Sequence, residues 1–173
     1  IGSMAFWGCD SLATISIGNG MVDVAGIGFR NFPALRSVTI GDGVQGIGDS
    51  EFSGCRALQS VLIGDGVTNI GWAAFADCES LSSVVLGTNV AVIGYRAFAM
   101  CTNLVELTIP DSVRSVESYA FERCGNLSDV TMGAGAMHIG NYAFSECANL
   151  LNAPIGAGAV LIGTHAFQDC AGM

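Results

Sequence analysis

IGWAAFADCESLSSVVLGTNVAV, from Ile70 to Val92, decides the fold, because the rest of the chain rewrites it. Shifting the sequence by 23 residues places Phe on Phe through Phe6, Phe29, Phe52, Phe75, Phe98, Phe121, Phe144 and Phe167. Leu follows at Leu12, Leu35, Leu58, Leu81, Leu104, Leu127 and Leu150, with Met173 at the eighth place. Cys recurs at Cys9, Cys55, Cys78, Cys101, Cys124, Cys147 and Cys170, and Phe32 fills the gap. A fixed period of this length is the mark of a solenoid, in which each repeat contacts only its neighbours.

The unit reads I-G-x-x-A-F-x-x-C-x-x-L-x-x-V-x-I-G-x-G-V-x-x, in copies 1–23, 24–46, 47–69, 70–92, 93–115, 116–138, 139–161 and the half-copy 162–173. No linker or shift of composition interrupts them, so residues 1–173 read as one domain of about 7.5 repeats. Because the chain starts and stops partway through the pattern without polar caps, a segment of something longer is expected. Within a unit, L-x-x-V-x-I alternates with the period of a strand. In Leu58 to Ile63 this points Val61 and Ile63 inward, Ser60 and Leu62 outward. Gly-Asp-Gly at 41–43 and 64–66 is a turn, with glycine expected to supply backbone angles closed to other residues. V-x-x-I crosses back, and G-x-x-A-F-x-x-C suits a short helical turn or irregular segment. Seven strands at about 4.8 Å would make one parallel sheet roughly 30 Å long. Pro154 falls in a strand and cannot donate to the ladder, which predicts a weak point there.

Charged residues make up only 12% of the 173, with fifteen acidic residues, six arginines, no lysine and a net charge of −9. A phosphate backbone or an anionic membrane surface asks for a basic stripe, so nucleic acid is excluded as a partner and membrane-surface binding is disfavoured. No apolar run approaches the roughly 20 residues of a membrane helix, which argues against direct insertion. So little charge on a solenoid suggests a surface partly covered by a partner.

The cysteines come one per coil, strung along the axis, where a metal site needs ligands that converge. Disulfides need Cβ atoms about 3.8 Å apart and facing, whereas stacked coils hold parallel side chains at about 4.8 Å. Buried reduced thiols acting as small hydrophobes fit better. Asp42, Asp65 and Asp111 give way to Thr88, Ala134 and Ala157 in other coils, so turn chemistry outweighs a calcium roll. His138 and His165 read as surface histidines, and no nucleophile, acid and base converge. No cofactor, metal or catalytic residue is expected.

Residues that break the pattern at outward positions are more informative. Trp72 and Tyr95 share one repeat position; Tyr119, Tyr142 and His165 share the next, so stacking predicts an aromatic stripe, with Trp7 outward elsewhere. A second patch places Leu62 over Val85, with Val105 nearby, beside Glu106 and Asp129. Exposed clusters of this kind mark interfaces.

The unit as a whole resembles the BspA-like leucine-rich repeat of 23 residues, and the copy Leu104–Val113 fits best, with Pro110-Asp111-Ser112 at its turn. The resemblance covers the whole chain. Departures are Phe32 for Cys, Gly28 and Glu51 for Ala, and the eroded 139–161 unit with Ala153, Pro154 and Ala159. The resemblance implies a repeat solenoid: a leucine-rich-repeat-like right-handed curved coil, a parallel β-sheet on its concave face, and short helical or irregular turns opposite. It also implies a non-catalytic module that recognises protein partners, at the cell surface or secreted. An architectural subunit of a larger, possibly membrane-associated assembly and a secreted or cell-surface adhesin are the competing expectations.

Overall fold

The computed structural model describes residues 2, 5–135, 137–152, 155 and 158–173. Thirteen strands follow in order: β1 (Thr14–Ile17), β2 (Asp23–Val24), β3 (Ser37–Ile40), β4 (Gly46–Ile47), β5 (Ser60–Ile63), β6 (Asn69–Ile70), β7 (Ser83–Val85), β8 (Val92–Ile93), β9 (Glu106–Ile109), β10 (Ser115–Val116), β11 (Asp129–Met132), β12 (Met137–Ile139) and β13 (Ala159–Ile162). All pairings are parallel, and nearly all join residues 23 apart, as in Val38 with Val61 and Ile70 with Ile93. The repeat period is therefore the coil period.

Alternation sets the long strands. Val61 and Ile63 are buried while Leu62 stays exposed. The expectation of one seven-stranded sheet is corrected on two counts. β1, β3, β5 and β7 form one sheet and β9 with β11 another, so the long-strand face is split between β7 and β9. The V-x-x-I crossings build a second, uninterrupted sheet of seven short strands, in the order β13-β12-β10-β8-β6-β4-β2. The split has a local cause at one end. Gly64 donates its N–H to the Ile40 carbonyl and Gly133 to Ile109, both at 2.8 Å, but Pro110 holds the equivalent position and has no N–H for Leu86. The expected weakness at Pro154, with the neighbouring Ala153 and Ala157, lies outside the described residues.

No helix closes the coil among the described residues. Instead, two left-handed residues per coil turn the chain, at Ala73 (φ 50°) and Asp77 (φ 60°), then Arg96 and Met100, Tyr119 and Arg123, Tyr142 and Glu146. Each costs about 1 kcal/mol or more in a non-glycine residue. A ladder offsets that cost: Ala73, Phe75 and Asp77 donate N–H bonds of 2.8, 2.8 and 2.9 Å to the Tyr95, Ala97 and Ala99 carbonyls of the next coil. The polarity is opposite to that of the Gly64 and Gly133 bonds, where the later coil donates.

The core is a set of columns. Phe29 to Phe167 stack at centroid spacings of 5.1–5.4 Å with rings within 9° of parallel. From Cys55 onward each thiol donates to the phenylalanine carbonyl of the coil before, Cys101 to Phe75 at 3.3 Å and Cys147 to Phe121 at 3.2 Å. The cysteine column is thus more than small hydrophobes, because its thiols add a second bond to carbonyls such as those of Phe98 and Phe121, which already accept the Cys101 and Cys124 N–H groups at 3.3 Å. Burial pushes the Cys55 thiol up to about 11 and the Cys124 thiol to about 12.

Two departures from the pattern explain each other. The Glu51 side chain is buried and accepts N–H bonds of 2.8 Å from Gly26 and Gly28, so the coil with glycine in place of alanine is held by the next coil's carboxylate. The Gly-Asp-Gly glycines serve close approach, not unusual backbone angles. A Cβ on Gly66 would overlap the Asp42 carbonyl oxygen in the coil before, and its φ is not positive.

Candidate interaction surfaces

The turn aspartates are occupied within the fold. Asp42 accepts the Asp65 N–H, Asp65 the Thr88 N–H and Asp111 the Ala134 N–H, at 2.8–2.9 Å, each linking one coil to the next. The Thr88 N–H holds the Asp65 carboxyl below its ordinary value. No three His, Cys, Asp or Glu side chains gather to hold a metal among the described residues. No helix there is long and apolar enough to cross a membrane.

The aromatic stripe forms over most of its predicted length. Tyr95 meets Tyr119 edge-on at 5.5 Å, Tyr119 stacks on Tyr142 at 5.0 Å with rings 8° apart, and His165 continues the stack at 4.9 Å. Trp72 is 50% exposed and pairs with no aromatic ring among the described residues, and Trp7 stands apart at 80%. Because Tyr119 and Tyr142 cover each other's faces, the row offers ring edges and hydroxyls outward, not flat platforms. Desolvation, then Tyr142 and Tyr95, raises the Tyr119 phenol above its ordinary value. Beside it Arg96 lies 3.1 Å from Glu122, whose buried Oε2 has no aligned hydrogen bond.

On the long-strand face Leu62 lies in register with Val85, and Glu106 with Asp129. Leu62 and Val85 are about half exposed. Val105 belongs elsewhere. It sits one position before β9, and shares its hollow with Ser128 and Leu151 rather than with Val85. Leu62 with Val85 and Glu106 with Asp129 are thus two registered pairs on either side of the split, and the fifth residue expected in this patch lies at the strand edge.

The split joins Val85, Glu106 and Asp129, expected from sequence, to Ser83, Leu86 and Thr108, which sequence reasoning missed. Between β7 and β9 opens a cleft of about 460 Å³ lined by Ser83, Val85, Leu86, Glu106, Thr108 and Asp129, with Pro110 at one end. Among the described residues no backbone N–H reaches the Ser82 or Leu86 carbonyl. Val84 and Leu86, whose counterparts Val61 and Ile63 are fully buried, are only partly buried. Pro110 was the available signal, because a proline at a donor position of a ladder removes a bond wherever it falls.

Comparison with known proteins follows the same repeat. A family model described as the BspA type leucine rich repeat region matches in six copies, over residues 1–104 and 68–173. No curated protein matches the chain. A leucine-rich repeat protein of T. pallidum superposes with a TM-score of 0.61 at 26% identity, over 75% of this chain and 72% of that one. A leucine-rich cell surface protein from Faecalibacterium prausnitzii gives 0.76 at 28% identity, over 94% of this chain. A leucine-rich repeat protein from Bacteroides ovatus gives 0.66 at 26%, over all of it. The chain spans 46% and 57% of the lengths of the latter two. With its repeat matched end to end, the chain belongs to the BspA-type leucine-rich repeat family.

Proposed function

We propose that this chain is a non-catalytic protein-interaction module that works at a cell surface. One observation carries the reading: constant residues face inward while the outward column of the same strands changes chemistry coil by coil. The inward series Ile15, Val38, Val61, Val84, Leu107 and Val130 stays aliphatic, but the outward series runs Ser16, Thr39, Leu62, Val85, Thr108, Thr131. A scaffold held by repeated columns can vary one face without altering its fold. The cell-surface part rests on the similarity to the Faecalibacterium prausnitzii protein, described as a leucine-rich cell surface protein.

Thr39→Arg with Leu62→Arg alters the outward face, whereas Gln168→Arg alters the exposed turn side. Immobilised chain should capture a stoichiometric protein partner from surface-labelled cells, and the face variant should lose it while the turn-side variant keeps it. Capture indifferent to the face variant would contradict the reading. A set of partners that resists salt and follows the Tyr119 and Tyr142 flank instead would favour an architectural subunit.

A further inference from the structure

We propose that the opening between β7 and β9 receives one long basic side chain, an arginine or lysine, carried by a protein partner. This rests on the interaction-module reading and names the chemistry of its contact.

The cleft has two unlike walls. On one side Val85 is 52% exposed and Leu86 half-buried, an aliphatic surface of the kind a (CH₂)₃ or (CH₂)₄ stem covers. On the other, Glu106 and Asp129 stand directly opposite each other in register. Like charges so placed destabilise a strand pair, and a cation between them reverses the sign of that contribution. Among the described residues neither carboxylate has an ion-pair partner. Three of the six arginines are engaged elsewhere, Arg56 with Glu79, Arg96 with Glu122 and Arg123 with Glu146.

The floor adds an acceptor. At the Glu106 end of the cleft the Ser82 carbonyl receives no backbone N–H among the described residues, and a guanidinium or ammonium brings only donors. A neutral apolar side chain would cover Val85 but leave the carboxylates and the carbonyl unmatched. An acidic one would add a third like charge. The occupant that satisfies both walls and the floor is aliphatic along its length and cationic at its tip.

The test uses ¹⁵N-labelled protein titrated with the peptide acetyl-Gly-Arg-Gly-amide, and with the same peptide carrying citrulline, the neutral isostere of arginine. The expected result is saturable shifts of the Val85, Leu86, Glu106, Thr108 and Asp129 amides with arginine and none with citrulline. The paired variant E106Q with D129N changes two exposed side chains, keeps the fold, and should weaken the arginine response roughly tenfold or more. Equal response to citrulline, or shifts scattered over Glu79, Glu117 and Glu146 instead of the cleft, overturns the proposal. Partner capture separates the two levels. If Leu62→Arg with Thr39→Arg abolishes capture while E106Q with D129N leaves it intact, the cleft is wrong and the module reading stands. If neither variant affects capture, both fail.

Discussion

The turn side of the solenoid and its long-strand face are built from the same 23-residue unit, yet one is uniform and the other breaks. On the turn side every coil from Phe29 onward repeats the same ring stack, and from Cys55 onward the same thiol-to-carbonyl bond. Along the strands, the ladder runs from β1 to β7, fails, and resumes at β9. A periodic stack tolerates interruption on one side when the other carries the continuous contacts. The short-strand sheet spans the break through β8 and β10, where Val92 pairs with Ser115 and Ile93 with Val116. Stability is thus expected to reside in the columns, leaving the strand face free to vary.

The contrast should be largest for core truncation. Phe98→Ala removes a fully buried ring from the middle of the stack and should cost about 3–5 kcal/mol in urea unfolding. Val85→Ala on the exposed face should change stability by less than about 0.5 kcal/mol. Comparable costs would erase the distinction between the two sides.

Alkali should loosen the thiol column next. Cys55 and Cys124 ionise at about 11 and 12 in the fold, against 9.0 for an ordinary thiol. The folded state therefore favours the neutral form. Its contribution is complete below pH 9 and is lost as pH rises through 11 and 12, because the unfolded chain sheds these protons first. Urea midpoints should hold level up to pH 9 and then fall, and a thiol reagent at pH 7.5 should modify the exposed Cys9 before any of the buried six.

Pro110→Ala sharpens the comparison from the other direction. It restores a donor opposite the Leu86 carbonyl, and the regained bond is offset in part by the added freedom of the unfolded chain. The net change should lie within about 1 kcal/mol, while protection of amides beside the cleft rises. Unchanged protection would place the cause of the break outside the proline. Smallest of all, Glu146→Gln should shift stability by less than about 0.5 kcal/mol, because its pair with Arg123 is about half exposed on both sides.

Much of this was legible in the residues, for reasons that the misses clarify. Phe75 and Leu81 announce their columns by recurrence alone, and the register of Leu62 with Val85 follows from period and alternation. The Tyr119–Tyr142 stack follows from a shared repeat position, whereas Trp72 and Tyr95 share one and do not touch ring to ring. Recurrence shows which residues stack but not which polar atoms they satisfy. That is why the sequence alone reads the cysteines as hydrophobes, and Gly28 and Glu51 as unrelated departures. The glycines of Gly-Asp-Gly suggest unusual backbone angles, but contact with the coil beneath is a property of the stack, invisible within one unit. Pro110 sat in the best-matching copy, and good agreement with the pattern concealed the bond it removes. Val105 is expected near Val85, but the repeat period sets it over Ser82 and under Ser128, in a column at the edge of the strands.

Hydrogen exchange across the long-strand face tests the central claim most directly. Amides of Glu106 and Thr108, which face β7 without a ladder, should exchange at least about tenfold faster than Asp129 and Thr131, their register partners in β11, and than Thr39 in β3. Phe75, Phe98 and Phe121, which donate to Ala97, Ala120 and Ala143, should be uniformly protected. Equal protection of Glu106, Thr108, Thr39 and Thr131 would mean that the strand face is continuous, and both the break and the cleft built on it would fall.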